Sequence, residues 1–349
     1  MMKTETTAAH SGSGGGVKGD VDQPALLWAP PPWHTQVIVG ILLANFLMHT
    51  PAAVASMDEI ALPETFSRTL FPAIVPLPAV ILFRLFCGTV LVSINIRDFF
   101  YGSLDLPTTY YPGSKLKPAI INFRGVWAPG GSLRLAMKMN TSFSSWSVAL
   151  LGCSFLLNGF IPLIHEYVGW NVSKGWLRLA VLLWTMSAPS ALLVSLIVTY
   201  VLWPDDVKQG HSTDVYKRPW ILLMHTLNST AALTEVGIMG GIPCRFPQDF
   251  ASSPMFGMVY ILFAWVASHA RFWTEDYERD GVQFLYPFFD TTLKTTCSVA
   301  IVALFLVFIL SFCLFSLAEY VLSEYVGGGI GGHTVAVVVM SAAVCRFRD

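Results

Sequence analysis

Three short stretches of this chain carry side chains that could do covalent chemistry together: TSFSSWS from Thr141, MHTLNSTAALTE from Met224 and LYPFFD from Leu285. They supply hydroxyls, an imidazole and carboxylates. A hydroxyl whose proton is taken by an imidazole is the logic of nucleophilic acyl transfer. In the middle stretch His225, Asn228 and Glu235 stand at offsets that fall on one narrow face at about 100° per residue. Thr141, Ser144 and Ser147 are likewise spaced for one face of a helix. Ionisable groups in a membrane helix cost several kcal/mol and turn inward to partners. Two readings therefore stand side by side: a polar seam that holds helices together, and a catalytic or binding face.

The elements that carry these residues are membrane spans. The chain has 349 residues, 54% of them apolar and 12% charged. Soluble domains carry about 25% charged residues. Mean hydropathy is +0.58, and several apolar runs reach about 20 residues, the length of a bilayer crossing. A net charge of −1 and the lack of a basic stripe give no support to a nucleic-acid partner. The six cysteines, Cys87, Cys153, Cys244, Cys297, Cys313 and Cys345, show no paired spacing. They suggest neither a disulfide framework nor a metal site.

Read in order, residues 1–35 form a disordered tail rich in Gly, Ser, Thr and Ala. Residues 36–325 form a transmembrane helical domain, and 326–349 an apolar, glycine-broken C-terminal tail. Spans are expected at Gln36–Met57, from about Val80 to Ile96 after the prolines at 72, 76 and 78, and at Ser142–Leu163. Others follow at Trp176–Leu202, from Pro219 to about Gly240, at Met255–Phe272 and from about Phe284 to Leu322. The expected class is an all-α polytopic transmembrane bundle with six core spans and an extra N-terminal span. Loops 97–141, 203–218 and 271–294 hold twelve Lys and Arg residues, against three in the alternate loops. The positive-inside rule then places the N-terminus in the cytoplasm.

That orientation brings Thr141, Ser144, His225 and Asp290 into their helices from the same side, with His225 roughly 9 Å deep. This level lies near the headgroup boundary, where a long-chain ester presents its carbonyl. Asn228 is expected to orient His225 or to bridge helices. Glu235 is structural or faces substrate, Arg84 snorkels or pairs with such a carboxylate, and Asp290 tunes His225 or caps the last helix.

These same stretches resemble the androgen-induced gene 1 family. MHTLNSTAALTE is similar to that family's Met-His stretch with a Glu ten residues after the His. LYPFFD resembles the family's aromatic-Tyr-Pro-Phe-Leu-acid motif, and FSSWSVALLGCSF at 143–155 resembles its first-helix motif. The likeness covers about residues 130–325. It implies a multi-pass hydrolase of fatty-acid esters of hydroxy fatty acids with a Thr nucleophile and a His. On this chain His225 falls at the His. Ser144 falls at the Thr position in the best register, and Thr141, one turn earlier, keeps the residue type.

The resulting expectation is an integral-membrane lipid esterase of the endoplasmic reticulum or plasma membrane. Ser144 or Thr141 is its nucleophile, His225 its base, and Asn228, Asp290 and Glu235 its supporting groups. Its partners are membrane lipids and a lipid ester, and it needs no cofactor or metal. Two other classes compete: an ion- or proton-coupled transporter using His225 and Glu235, and a seven-helix retinal protein suggested by Asp290 and Lys294.

Overall fold

A computed structural model describes residues 25–209, 213–214, 216–274 and 276–345. Most of the tail read as disordered (residues 1–24) lies outside the described residues. Helix α1 (Trp33–Met57) opens the bundle and is followed by α2 (Leu77–Tyr101). After a loop region come α3 (Leu133–Met139), α4 (Phe143–Val168) and α5 (Lys174–Lys208). Helix α6 covers residues 219–239, and α7 (Ser252–His269), α8 (Thr295–Glu324) and α9 (Gly329–Val344) complete the chain. Five of these, α1, α2, α4, α5 and α8, are long and apolar enough to cross a membrane.

The tightest seam joins α2 to α4. It depends on two glycines. A Cβ on Gly88 would stand 2.8 Å from Leu156, and one on Gly152 would stand 2.9 Å from Val92. Small residues at these points let the backbones approach, which is how helices associate where lipid removes the hydrophobic drive. Behind the seam, α5 carries the fully buried Trp184, whose ring meets Phe155 of α4 and Phe315 of α8 edge-on.

Two expectations are corrected. The class is not purely helical, because β1 (Ser103–Pro107) pairs antiparallel with β2 (Ile120–Arg124), Ser103 opposite Arg124. The alternation in IINFR buries Ile121 and Phe123 against Trp273 and Leu285. The last long helix starts at Thr295, not near Phe284. Pro287 removes a backbone donor, and Asp290 instead caps a 3₁₀ turn at Thr291–Leu293. The tail after 326, to which the sequence assigns no element, contains a helix. Packed along α6, α9 buries His333 with its Nδ1 2.7 Å from the Gly237 carbonyl, and the Ala343 carbonyl accepts from Tyr200. The face that carries His333, Val337 and Ser341 is buried against neighbouring helices.

Candidate active site

The start of α4 sets the geometry. Ser142 is its N-cap: its Oγ accepts from the Ser145 amide at 3.1 Å and lies 2.9 Å from the Ser145 hydroxyl. The Phe143 amide donates to the Tyr286 phenol at 3.2 Å, so the LYPFFD stretch clamps this helix end. Burial holds that phenol above its usual range, and it stays neutral. Ser142 and Ser145 thus occupy each other. Ser144 is half-buried, and neither its hydroxyl nor its amide has a partner among the described residues. Its amide is one of the first-turn donors that an α-helix leaves without an internal acceptor.

His225 stands on α6 where the helix widens to i→i+5 bonding at Leu223–Leu227. Such widened turns are frequent at functional sites. The backbone here is held to α5: Ser195 donates to the His225 carbonyl, and its Oγ lies 3.2 Å from Asn228 Oδ1 and 2.6 Å from Ser229 Oγ. Ser229 in turn donates to the Ala191 carbonyl at 2.8 Å. The His225 Nδ1 is enclosed without a partner, which leaves Nε2 as the nitrogen that can meet a ligand.

Ser144 and His225 line the same cavity, of about 420 Å³. No hydrogen bond joins the two side chains among the described residues. Ser145 and Tyr286 share the wall with them, and Arg97, Arg218 and Asp98 make it polar. The Arg97 guanidinium lies 3.9 Å from the centre of the Trp220 ring and 2.7 Å from Asp98 Oδ1. Apolar side chains including Leu106, Phe123 and Met139 line the rest.

The other sequence candidates lie outside that wall. Thr141 is buried, donates to the Lys138 carbonyl, and receives the Tyr260 phenol on its own carbonyl at 2.8 Å. Asn228 bridges α6 to α5, as above. Asp290 Oδ1 accepts from the Thr292 amide at 2.8 Å and its hydroxyl at 2.7 Å, a local cap. Glu235 is fully buried against Arg84, with Oε1 at 2.7 Å from Nη2 and 2.8 Å from Nε. Arg84 also donates to the Phe66 and Asn158 carbonyls. The pair is a structural tie between α2 and α6. Among the described residues no group of three His, Cys, Asp or Glu is placed to hold a metal ion.

Compared with protein-family models, curated proteins and solved structures, the chain matches none. Arg97, Asp98, Trp220 and Tyr286 were not singled out by the sequence. Arg97 enters the sequence reading only as one of the basic residues of the loop from 97 to 141. The one available signal was Tyr286, in the motif that also contains Asp290.

Proposed function

We propose that this chain is an integral-membrane lipid esterase acting through Ser144 and His225. The observation that carries the reading is their common cavity, in which Ser144, unlike Ser142 and Ser145, has a hydroxyl with no partner among the described residues. Ser144 Oγ attacks the ester carbonyl carbon while its proton passes to His225 Nε2. The oxyanion that forms accepts from the free Ser144 amide at the positive end of the twenty-residue helical run that opens α4. Collapse breaks the ester C–O bond, and His225 returns the proton to the leaving alkoxide. Water, deprotonated by His225, then attacks the acyl-Ser144 ester, and the proton returns to Ser144 as the acid leaves.

The His225 Nδ1 has no carboxylate partner, so the machinery is a dyad. Asp98 is the carboxylate in the shared wall, and Arg97 occupies it. The resemblance of the three motifs to the androgen-induced gene 1 family supports esters of hydroxy fatty acids as substrate, and the arginines in the wall suit an acid group on such a molecule. Of the two candidate nucleophiles we favour Ser144, because the Thr141 hydroxyl is buried and already donating. We further read α6 and α7 as crossing the bilayer with the five longer helices, giving seven spans with the N-terminus in the cytoplasm. The sealed Arg84–Glu235 contact argues against a transport path through Glu235.

The test is turnover of a long-chain ester of a hydroxy fatty acid by purified protein in lipid nanodiscs. His225→Ala and Ser144→Ala should each lose about 100-fold or more, with Thr141→Ala remaining within a few-fold of the parent. Undiminished turnover in His225→Ala discards the mechanism.

A further inference from the structure

A second cavity, of about 460 Å³, lies between α2, α4, α5 and α7. Its size falls in the range of ligand pockets, about 300–1,000 Å³. The walls are largely apolar, with Trp146, Ala149 and Leu150 from α4, Met186 from α5, and Phe256 and Val259 from α7. Asn95 of α2, Asn140 and Ser145 are its polar members, and Asn140 donates to the Asn95 carbonyl at 3.0 Å. On α4, Ser145 and Ala149 are one turn apart, as are Trp146 and Leu150, so two adjacent stripes of one helix form the floor. Ser145 belongs to the wall of this cavity and also to that of the Ser144–His225 cavity. Its neighbour in the chain is the proposed nucleophile.

We infer that this groove holds the long acyl chain of the ester whose carbonyl sits at Ser144. The inference rests on the esterase reading above. The occupant follows from position. Val259, ten residues from the end of α7, is 47% exposed, so the groove opens on the outside of the bundle. At mid-span the medium outside is hydrocarbon, and the chains of lipids are what can enter sideways. The two cavities are neighbours with Ser145 in both walls, and the proposed pose places one molecule across that shared wall, with its carbonyl beside Ser144 and its chain against Trp146 and Phe256. Met186 suits such a surface, because its flexible thioether adapts to chains of different shape. Ala149 keeps the floor open: a large side chain there fills the groove without touching Ser144 or His225.

Two variants of the full chain test this in nanodiscs, Ala149→Trp from the floor and Val259→Trp from the exposed wall. The second tolerates a large ring even if the first fails to fold. Each is assayed with p-nitrophenyl butyrate and p-nitrophenyl palmitate. The expected result is butyrate turnover within twofold of the parent and palmitate turnover reduced at least tenfold. Equal loss, or no loss, with both esters in a folded Val259→Trp variant overturns the groove assignment. A readout independent of hydrolysis separates this from failure of the esterase reading. Photo-crosslinking with diazirine-bearing palmitic acid should label peptides containing Trp146 or Phe256, and Val259→Trp should reduce that labelling at least fivefold. Labelling confined to other helices, or unchanged by the substitution, rejects the groove whether or not the parent hydrolyses either ester.

Discussion

Arg84 and Glu235 offer the sharpest probe of how the bundle is held. Both side chains are fully buried, joined at 2.7 Å, and the guanidinium also serves the Phe66 and Asn158 carbonyls. Replacing Arg84 with Leu leaves a carboxylate and two carbonyls without donors. Replacing Glu235 with Leu leaves a cation without its counter-charge. Breaking a buried pair from one side costs about 3–5 kcal/mol. In the double variant Arg84→Leu/Glu235→Leu both charges are gone, and what remains is about 1–3 kcal/mol for each of the two orphaned carbonyls. If the single losses simply added they would reach about 6–10 kcal/mol, comparable to the whole stability of a typical domain. The double variant should therefore lose about 2–6 kcal/mol, well short of that sum, with a coupling of about 3–5 kcal/mol. SDS-induced unfolding in mixed micelles, followed by tryptophan fluorescence, measures all four proteins. Additive losses, or single variants as stable as the parent, would refute the claim that this contact ties α2 to α6.

Two further predictions concern the frame. Gly152→Leu drives a side chain into Val92 of α2 and should cost about 1–3 kcal/mol by the same assay. Gly40→Leu, where a Cβ meets nothing within 4 Å, should cost nothing, and equal losses at both sites would contradict the close-packed α2–α4 seam. At the other end of the bundle Asp58 receives Arg178 through two hydrogen bonds of 2.6 and 2.7 Å, with Lys174 at 3.1 Å. The Arg178 guanidinium holds its carboxyl well below the usual carboxylate range. A depressed folded-state value stabilises the protein above the unfolded value of about 3.9 and is lost as pH falls toward the folded one. The unfolding midpoint of the parent should thus fall more steeply below about pH 4 than that of Asp58→Asn; parallel curves would remove Asp58 from the account.

Much of the frame was legible because hydrocarbon dictates it. Runs of apolar residues the length of a bilayer crossing announce long helices, and the prolines at 72, 76 and 78 rightly signalled an irregular approach to α2. Where the reading failed, tertiary contacts decided. IINFR becomes a strand because Trp273 and Leu285 receive Ile121 and Phe123, and the helix that follows the glycine run is held to α6 through His333, whose Nδ1 meets the Gly237 carbonyl. The polar residues divide in the same way. Spacing grouped His225, Asn228 and Glu235, but spacing carries no information about partners. Asn228 meets Ser195, Glu235 meets Arg84, and only His225 reaches a cavity. The separation of Ser144 from Thr141 was equally invisible, since it turns on Ser142 capping the helix and on the Lys138 carbonyl accepting the Thr141 hydroxyl.

The most direct measurement of the central claim is covalent trapping. The parent protein and His225→Ala are treated in nanodiscs with a long-chain fluorophosphonate, and the modified residue is located by peptide mass spectrometry. The account predicts a phosphonyl adduct on Ser144 in the parent and at least a tenfold slower adduct in His225→Ala. An adduct on Thr141, or a parent that hydrolyses lipid esters while Ser144 stays unmodified under inhibition, would contradict it.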